Sequence, residues 1–352
     1  MYPLLNRDLK DLANAELDNL HSYKTAGRAI FERVYKTIVH FSPYRISRYV
    51  LAGSMGKNIS LGLDFQPDFD FVIFVREVTP PLKPVVDEFY RILETQLPSN
   101  CAEWNVFDPF KMTKTSYSIK FLMTTVIETS RGRQKVHMEF DLLPAISFAR
   151  DIAKQTGATL GAIRRTKNPR VDWNHYSTAL CENTIRFVRD QPPFTHSVIR
   201  LAKLWDSKLK VELQESGNKF HFSGRSSVIE LIAIHAANLQ EKKANLLEAF
   251  RRFLNLIENI DDIQINFCNS TIYPKDLKPG IFDSINPYNN YADKIDPVSK
   301  QLLKERARST LYSLTSVAKI TNESDYATGF ASVKMTYLVK ERNLNGGFNL
   351  YQ

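Results

Sequence analysis

Cysteine is scarce in this chain. Its three cysteines in 352 residues, Cys101, Cys181 and Cys268, lie far apart with no CxxC spacing. That pattern excludes a disulfide framework and a zinc site built on cysteine pairs, and reads as reduced thiols. Long hydrophobic runs are missing too: no segment approaches the roughly 18 apolar residues a membrane-spanning helix needs. The opening MYPLLNRDLKDLANAELDN carries acids where a signal peptide would be apolar. A cytoplasmic protein, cytosolic or nuclear, is the expectation. The Walker pattern GxxxxGK[ST] is absent, which excludes a P-loop ATPase. The histidines, His137 and His221 among them, form no metal-ligand cluster and receive no catalytic role, and no internal repeat is visible.

What is present is an ordinary globular composition, 43% apolar and 24% charged. The length exceeds the size at which one core stops growing, so two lobes are expected. A net charge of +9 points to a polyanionic partner. Its distribution sharpens the point. Residues 21–60 hold seven bases (Lys24, Arg28, Arg33, Lys36, Arg45, Arg48, Lys57) against one acid, Glu32, whereas residues 61–110 hold nine acids and three bases. A second basic patch is Arg164, Arg165, Lys167 and Arg170.

The chemistry is concentrated in two blocks of strand-like sequence, DFDFVIFV with Asp68 and Asp70, and KVHMEFDLL with Asp141. Residues two apart on a strand share a face, so Asp68 and Asp70 project together while Phe69 and Phe71 pack behind them. Like charges on one face repel, and the pair makes sense around a divalent cation. Hard carboxylate oxygens suit Mg²⁺ or Mn²⁺ rather than zinc. Asp141, from a neighbouring strand, completes a two-ion site and is also the candidate general base. The alternatives are a solvent-facing strand edge for Asp68 and Asp70, and a capping or ion-paired carboxylate for Asp141. Upstream, Gly53-Ser54 in GSMGK offers close backbone approach to an anion, a hydroxyl donor, and Lys57 as a counter-charge for phosphate.

Around these blocks, residues 13–41 read as one long amphipathic helix, with Lys24, Arg28 and Lys36 along a common stripe and Ser42-Pro43 at its end. RYVLAGS reads as a strand entering a Gly-Ser turn. Pro80, Pro81 and Pro84 break the chain before a helix near VVDEFYRILETQL, and strands near 117–127 and 135–143 close a small mixed sheet. Four segments, NHYSTALCENTIRFVRD, HSVIRLAKLWDSKLKVEL, SSVIELIAIHAANLQ and NLLEAFRRFLNLIENI, are helical by period. The expectation is a bilobal α+β protein, 1–160 and 161–352, with the boundary inside QTGATLGAIRRTKNPR. Turn-rich NPYNNYADKIDP is expected at the surface. Arg200 and Lys203 on their helix read equally as solvated or snorkelling charges.

Taken in order, AGSMGKNISL, DFDFVIFV, MEFDLLPA and STALCENTIRFVRDQPPFTHSVIRLAKLW resemble the 2′-5′-oligoadenylate synthase family, within the group that includes cGAS and cGAS-like receptors. VIELIAIHA and KPGIFDSINPYNNYAD resemble its later helix and tail, with Asn286-Pro287 where the family tends to have Asp-Pro. The resemblance implies a polymerase-β-like nucleotidyltransferase lobe with a long spine helix, facing a helical lobe across a cleft. It implies Asp68, Asp70 and Asp141 as ligands of two Mg²⁺ or Mn²⁺ ions. Gly53, Ser54, Lys57, Ser177, Arg200 and Lys203 would contact ATP, and Lys24, Arg28, Lys36, Lys57 and Arg189 would face double-stranded RNA. The implied activity is RNA-activated synthesis of 2′-5′-linked oligoadenylate in antiviral innate immunity. A cyclic dinucleotide synthase, a template-independent poly(A) or tRNA-end polymerase and a catalytically silent RNA-binding protein are the other readings. Two departures stand out: Ser227 occupies the position where the family commonly offers a base-stacking Tyr, and the cysteine-and-histidine zinc insertion of cGAS is missing.

Overall fold

The computed structural model describes residues 3–15, 17, 19–100, 106–107, 111–130, 132–166, 174–215, 224–239, 245–267, 279–320 and 322–338. The elements run α1 (Pro3–Ala13), α2 (Leu20–Phe41), β1 (Ile46–Leu51), α3 (Gly53–Lys57), β2 (Phe69–Val75), α4 (Lys83–Asn100), β3 (Val106–Phe107), β4 (Thr113–Lys114), β5 (Ile119–Thr129), β6 (Gly132–Ile146) and α5 (Ile152–Arg165). They continue with α6 (Asn174–Ser177), α7 (Cys181–Arg189), α8 (Pro193–Glu215), α9 (Arg225–Asn238), α10 (Leu246–Glu258), β7 (Gln264–Ile265), β8 (Gly280–Ile281), α11 (Pro297–Ala318) and α12 (Glu323–Val333). No helix among the described residues is long and apolar enough to cross a membrane.

The chain divides into two compact units. One comprises residues 14–191 with 284–287; the other comprises 1–13, 192–283 and 288–352. The boundary expected near residue 160 falls inside α5, in the first unit. Helices α5 to α7 share a unit with the sheet because Gln155 ties α5 to the end of β6: its amide donates to the Ile146 carbonyl and its oxygen accepts from the Phe148 and Ala149 N–H groups.

The first unit is built on a mixed six-stranded sheet in the order β1-β2-β6-β5-β3, with β4 also on β5. Strands β2 and β6 are parallel, and β1 with β2 and β5 with β6 are antiparallel. Strand period separates its faces. Phe69, Phe71, Ile73, Val75, Phe140, Leu142 and Ile146 enter one core with α2 and α4, through Ile30, Phe31, Val34, Ile38, Phe89 and Leu93. On the opposite face Val72, Phe74 and Ala145 meet Ala179 and Ile185. Phe31 stacks on Phe71 with centroids 3.5 Å apart and planes at 1°; such a pair adds about 1 kcal/mol beyond its area burial.

The long helix expected over 13–41 is shorter: α2 begins at Leu20, and Ala13 instead ends a separate helix, α1, with the weak helix formers Asn14 and Asn19 in between. Asn19 turns its side chain away from capping and accepts from the Ser130 N–H and hydroxyl at 3.0 and 3.1 Å, and α1 belongs to the second unit. The Gly-Ser turn is a short helical turn, α3, ended by Asn58 at φ 60°. Segment 286–297 is only partly at the surface: Tyr288 is exposed, but Asn286 and Asn289 are 1% and 5% exposed, and Asn290 accepts from the Ile281 N–H.

The second unit is helical. α9 is buried almost all round, from Val228 to Ala237, as expected of a helix apolar on every side. α10 is capped by Asn245, whose side chain accepts from the Leu247 and Glu248 N–H groups. Lys167, Arg170, His221, Cys101 and Cys268 lie outside the described residues.

Candidate active site

Strand register assembles the carboxylates. Asp70 and Asp141 are direct partners on the parallel pair β2 and β6. Both point away from α2, since Phe69, Phe71, Phe140 and Leu142 point toward it. Asp68 sits one residue before β2 and is exposed; Asp70 and Asp141 are half-buried. Two residues further along the same face, Val72 is already covered. The three acids therefore occupy the open end of that face.

The Gly53 turn is shaped around Asp70. Gly53 has φ +54°, and a Cβ there would fall 1.7 Å from Asp70 Oδ2, so only glycine fits. The Ala52 N–H donates to the Asp70 carbonyl at 2.7 Å, fastening the turn to β2. Gly56 packs so closely that a Cβ would lie 2.1 Å from the Leu51 carbonyl oxygen. Ser54 Oγ is 3.0 Å from Ser60 Oγ. Lys57 closes α3 and is half-buried.

Asp141 is perturbed by its surroundings. Burial, with the charge of Asp68 adding, raises its pKa against the opposing pull of Lys120 and a hydrogen bond with Ser118. Its Oδ2 is 3.6 Å from Lys120 Nζ, while Oδ1 is buried with no hydrogen-bond partner. A buried carboxylate oxygen without a donor is costly. Lys120 and Ser118 were not among the sequence candidates; the signal was there, since both alternate with the apolar positions of β5 and Lys120 pairs with Asp141.

Among the described residues no group of three or more His, Cys, Asp or Glu side chains is gathered tightly enough to hold a metal ion alone. That is compatible with Mg²⁺, which is usually held by one or two carboxylates plus substrate phosphates rather than by an all-protein cage. The donor types fit: Asp68, Asp70 and Asp141 would offer such an ion hard carboxylate oxygens, one of them without a partner.

The remaining candidates divide. Ser177 ends α6 in the same unit. Arg200 and Lys203 lie on α8 in the other unit, where burial lowers the pKa of Arg200. Lys24 does not simply face outward as expected. Its ammonium donates to the Met55 carbonyl and Asn58 Oδ1, both at 2.8 Å. Burial lowers its pKa, and the nearby charges of Arg28 and Arg189 lower it further. Arg28 and Arg189 are exposed, and Lys36 is exposed with Glu32 3.8 Å away.

Residues 161–327, a little under half of the chain, match the family model described as 2'-5'-oligoadenylate synthetase 1, domain 2, C-terminus. Among solved structures, Escherichia coli MS115-1 CdnC with ATP is similar at 16% identity and TM-score 0.62, covering 96% of this chain and 99% of that one. The same protein in a complex with HORMA-deltaN gives 18% identity and 0.57, covering 92% and 93%. mtPAP in complex with UTP gives 10% and 0.50, covering 93% and 74%. At these identities the likeness establishes the fold. A comparison with curated proteins returned no match. The fold is thus that of a nucleotidyltransferase. With the family match over 161–327, the chain is similar to nucleotidyltransferases of the oligoadenylate-synthetase type.

Proposed function

We propose that the protein joins ATP units through 2′-5′ linkages when double-stranded RNA is bound, releasing pyrophosphate. The single observation that carries nucleotidyl transfer is the in-register Asp70–Asp141 pair with Asp141 Oδ1 left without a donor; the family match over 161–327 supports oligoadenylate as the product.

In this reading Asp68, Asp70 and Asp141 hold two Mg²⁺ or Mn²⁺ ions, which when bound acidify the acceptor hydroxyl and neutralise charge on the leaving pyrophosphate. The acceptor 2′-oxygen forms a bond to the α-phosphorus as the bond to the bridging β-phosphate oxygen breaks. Asp141 takes the hydroxyl proton. Gly53 admits the phosphates close to the backbone and Ser54 orients them, with Lys57 adding positive charge. Arg28 and Arg189, close enough to perturb Lys24, form with it and Lys57 a basic patch for RNA backbone phosphates. Lys36 contributes less, since Glu32 offsets its charge.

The test is product analysis with all four nucleoside triphosphates and Mg²⁺, with and without double-stranded RNA. RNA-dependent oligoadenylate that resists 3′-5′-specific nuclease is expected. A phosphatase-resistant product from ATP and GTP would identify a cyclic dinucleotide synthase instead, label entering the RNA a terminal polymerase, and RNA binding with no product a silent binding protein.

A further inference from the structure

Helix α2 touches the carboxylate block at a point where the sheet does not hold it. β2 begins at Phe69, so the backbone of Pro67 and Asp68 lies outside the paired strand. There the Tyr23 hydroxyl donates to the Pro67 carbonyl at 3.0 Å and lies 3.5 Å from the His137 carbonyl on β6. The Tyr23 ring stacks on Phe69, centroids 5.2 Å apart at 24°. One turn later Gly27 makes the approach possible, because a Cβ there would lie 2.1 Å from the Phe69 ring. Burial, with the charges of Asp68 and Glu139, keeps the Tyr23 phenol protonated and able to donate. The next residue ties the same turn of α2 to the phosphate turn, through the Lys24 bonds to Met55 and Asn58.

We propose that Tyr23 and Lys24 are positioning residues: Tyr23 fixes the Pro67–Asp68 backbone so that Asp68 joins Asp70 and Asp141 around the ions, and Lys24 fixes the end of the phosphate turn. One turn of one helix thereby braces both halves of the site. The inference rests on the reading above in taking Asp68 as an ion ligand and the Gly53–Lys57 turn as the phosphate site. Tyr23 is 1% exposed, so a role in touching nucleotide or RNA is closed to it.

Tyr23→Phe keeps the ring stack and removes the hydroxyl. Mn²⁺ affinity of the nucleotide-free protein, read by electron paramagnetic resonance, is expected to fall about tenfold, the lower range for loss of a group that orients a ligand. Amide exchange at Asp68 and Phe69 is expected to quicken, and the Mg²⁺ concentration for half-maximal rate to rise more than the KM for ATP. Tyr35→Phe, on the same helix but packed on Tyr49, is expected to change none of these. Lys24→Met serves as a second, independent variant: the KM for ATP rises while Mn²⁺ affinity stays. Unchanged Mn²⁺ binding and exchange in Tyr23→Phe would overturn the Tyr23 assignment, and an unchanged KM in Lys24→Met would overturn the other. A wild-type protein that binds Mn²⁺ but makes no oligoadenylate defeats the proposed product while leaving the Mn²⁺ and amide-exchange test of Tyr23 intact; one that binds no Mn²⁺ defeats both.

Discussion

Two buried aspartates, one in each unit, separate a site from a scaffold. Asp206, on α8 of the helical unit, and Asp141, on β6 of the sheet unit, both have pKa values raised by burial. Asp206 is answered from within: the Arg225 guanidinium lies 2.6 Å from Oδ1, and its other hydrogen bond, at 2.7 Å, goes to the Asp206 carbonyl. Asp141 has Lys120 at 3.6 Å and nothing on Oδ1. Burial alone thus does not mark a catalytic carboxylate. What marks it is a desolvated charge that the fold leaves for something else to satisfy.

The comparison breaks most directly at Asp141. Asp141→Asn is expected to lower the rate of nucleotide synthesis by at least about a thousandfold. It removes a desolvated charge, so the melting temperature should hold or rise. A large fall in melting temperature with residual activity would place Asp141 in the scaffold class. Arg225→Met is the mirror experiment. It leaves the Asp206 charge without its hydrogen-bonded partner and with only the charges of Lys210 and Lys203 nearby, at a cost of about 3 kcal/mol in stability. Denaturant unfolding should show that loss while activity per folded molecule persists at low temperature.

Gly53→Ala sharpens the contrast from the backbone side. Its φ of +54° costs about 1–3 kcal/mol for a residue with a Cβ, and that Cβ would displace the Asp70 carboxylate. A stability loss smaller than that of Arg225→Met is expected, with activity lost out of proportion to it. Full activity in Gly53→Ala would show that the turn does not shape the site.

These contrasts were unequally legible in the chain. The positions of Asp70 and Asp141 follow from strand period, because a residue flanked by buried Phe69 and Phe71, or Phe140 and Leu142, has one face left to occupy. The helices α8 to α10 follow from apolar spacing. The break between α1 and α2 was partly legible, since Asn14, Asp18 and Asn19 are weak helix formers; the bond from Ser130 to Asn19, 111 residues away, was not. Tyr23 reads as one more apolar residue on a helix face, and its bond to Pro67 spans 44 positions. Side-chain bonds to distant backbone leave no periodic trace, so the supports of the site were hidden while its acids were plain.

Asp261, exposed in the helical unit, supplies the smallest effect and fixes the far end of the scale. It is paired with Lys300 at 3.1 Å and with Lys304, and these hydrogen bonds hold its pKa below the usual carboxylate range. A carboxylate depressed in the folded state contributes stability above its unfolded pKa of about 3.9 and loses it as pH falls through the folded value. About half of its side chain is open to solvent, so Asp261→Asn should cost only a few tenths of a kcal/mol at neutral pH after screening. In chemical denaturation the deficit should shrink in high salt and vanish at acid pH, where the wild-type carboxyl is protonated as well. A deficit that persisted in acid would mean that Asp261 acts through its shape rather than its charge, and pairing would then no longer be what distinguishes the scaffold carboxylates from Asp141.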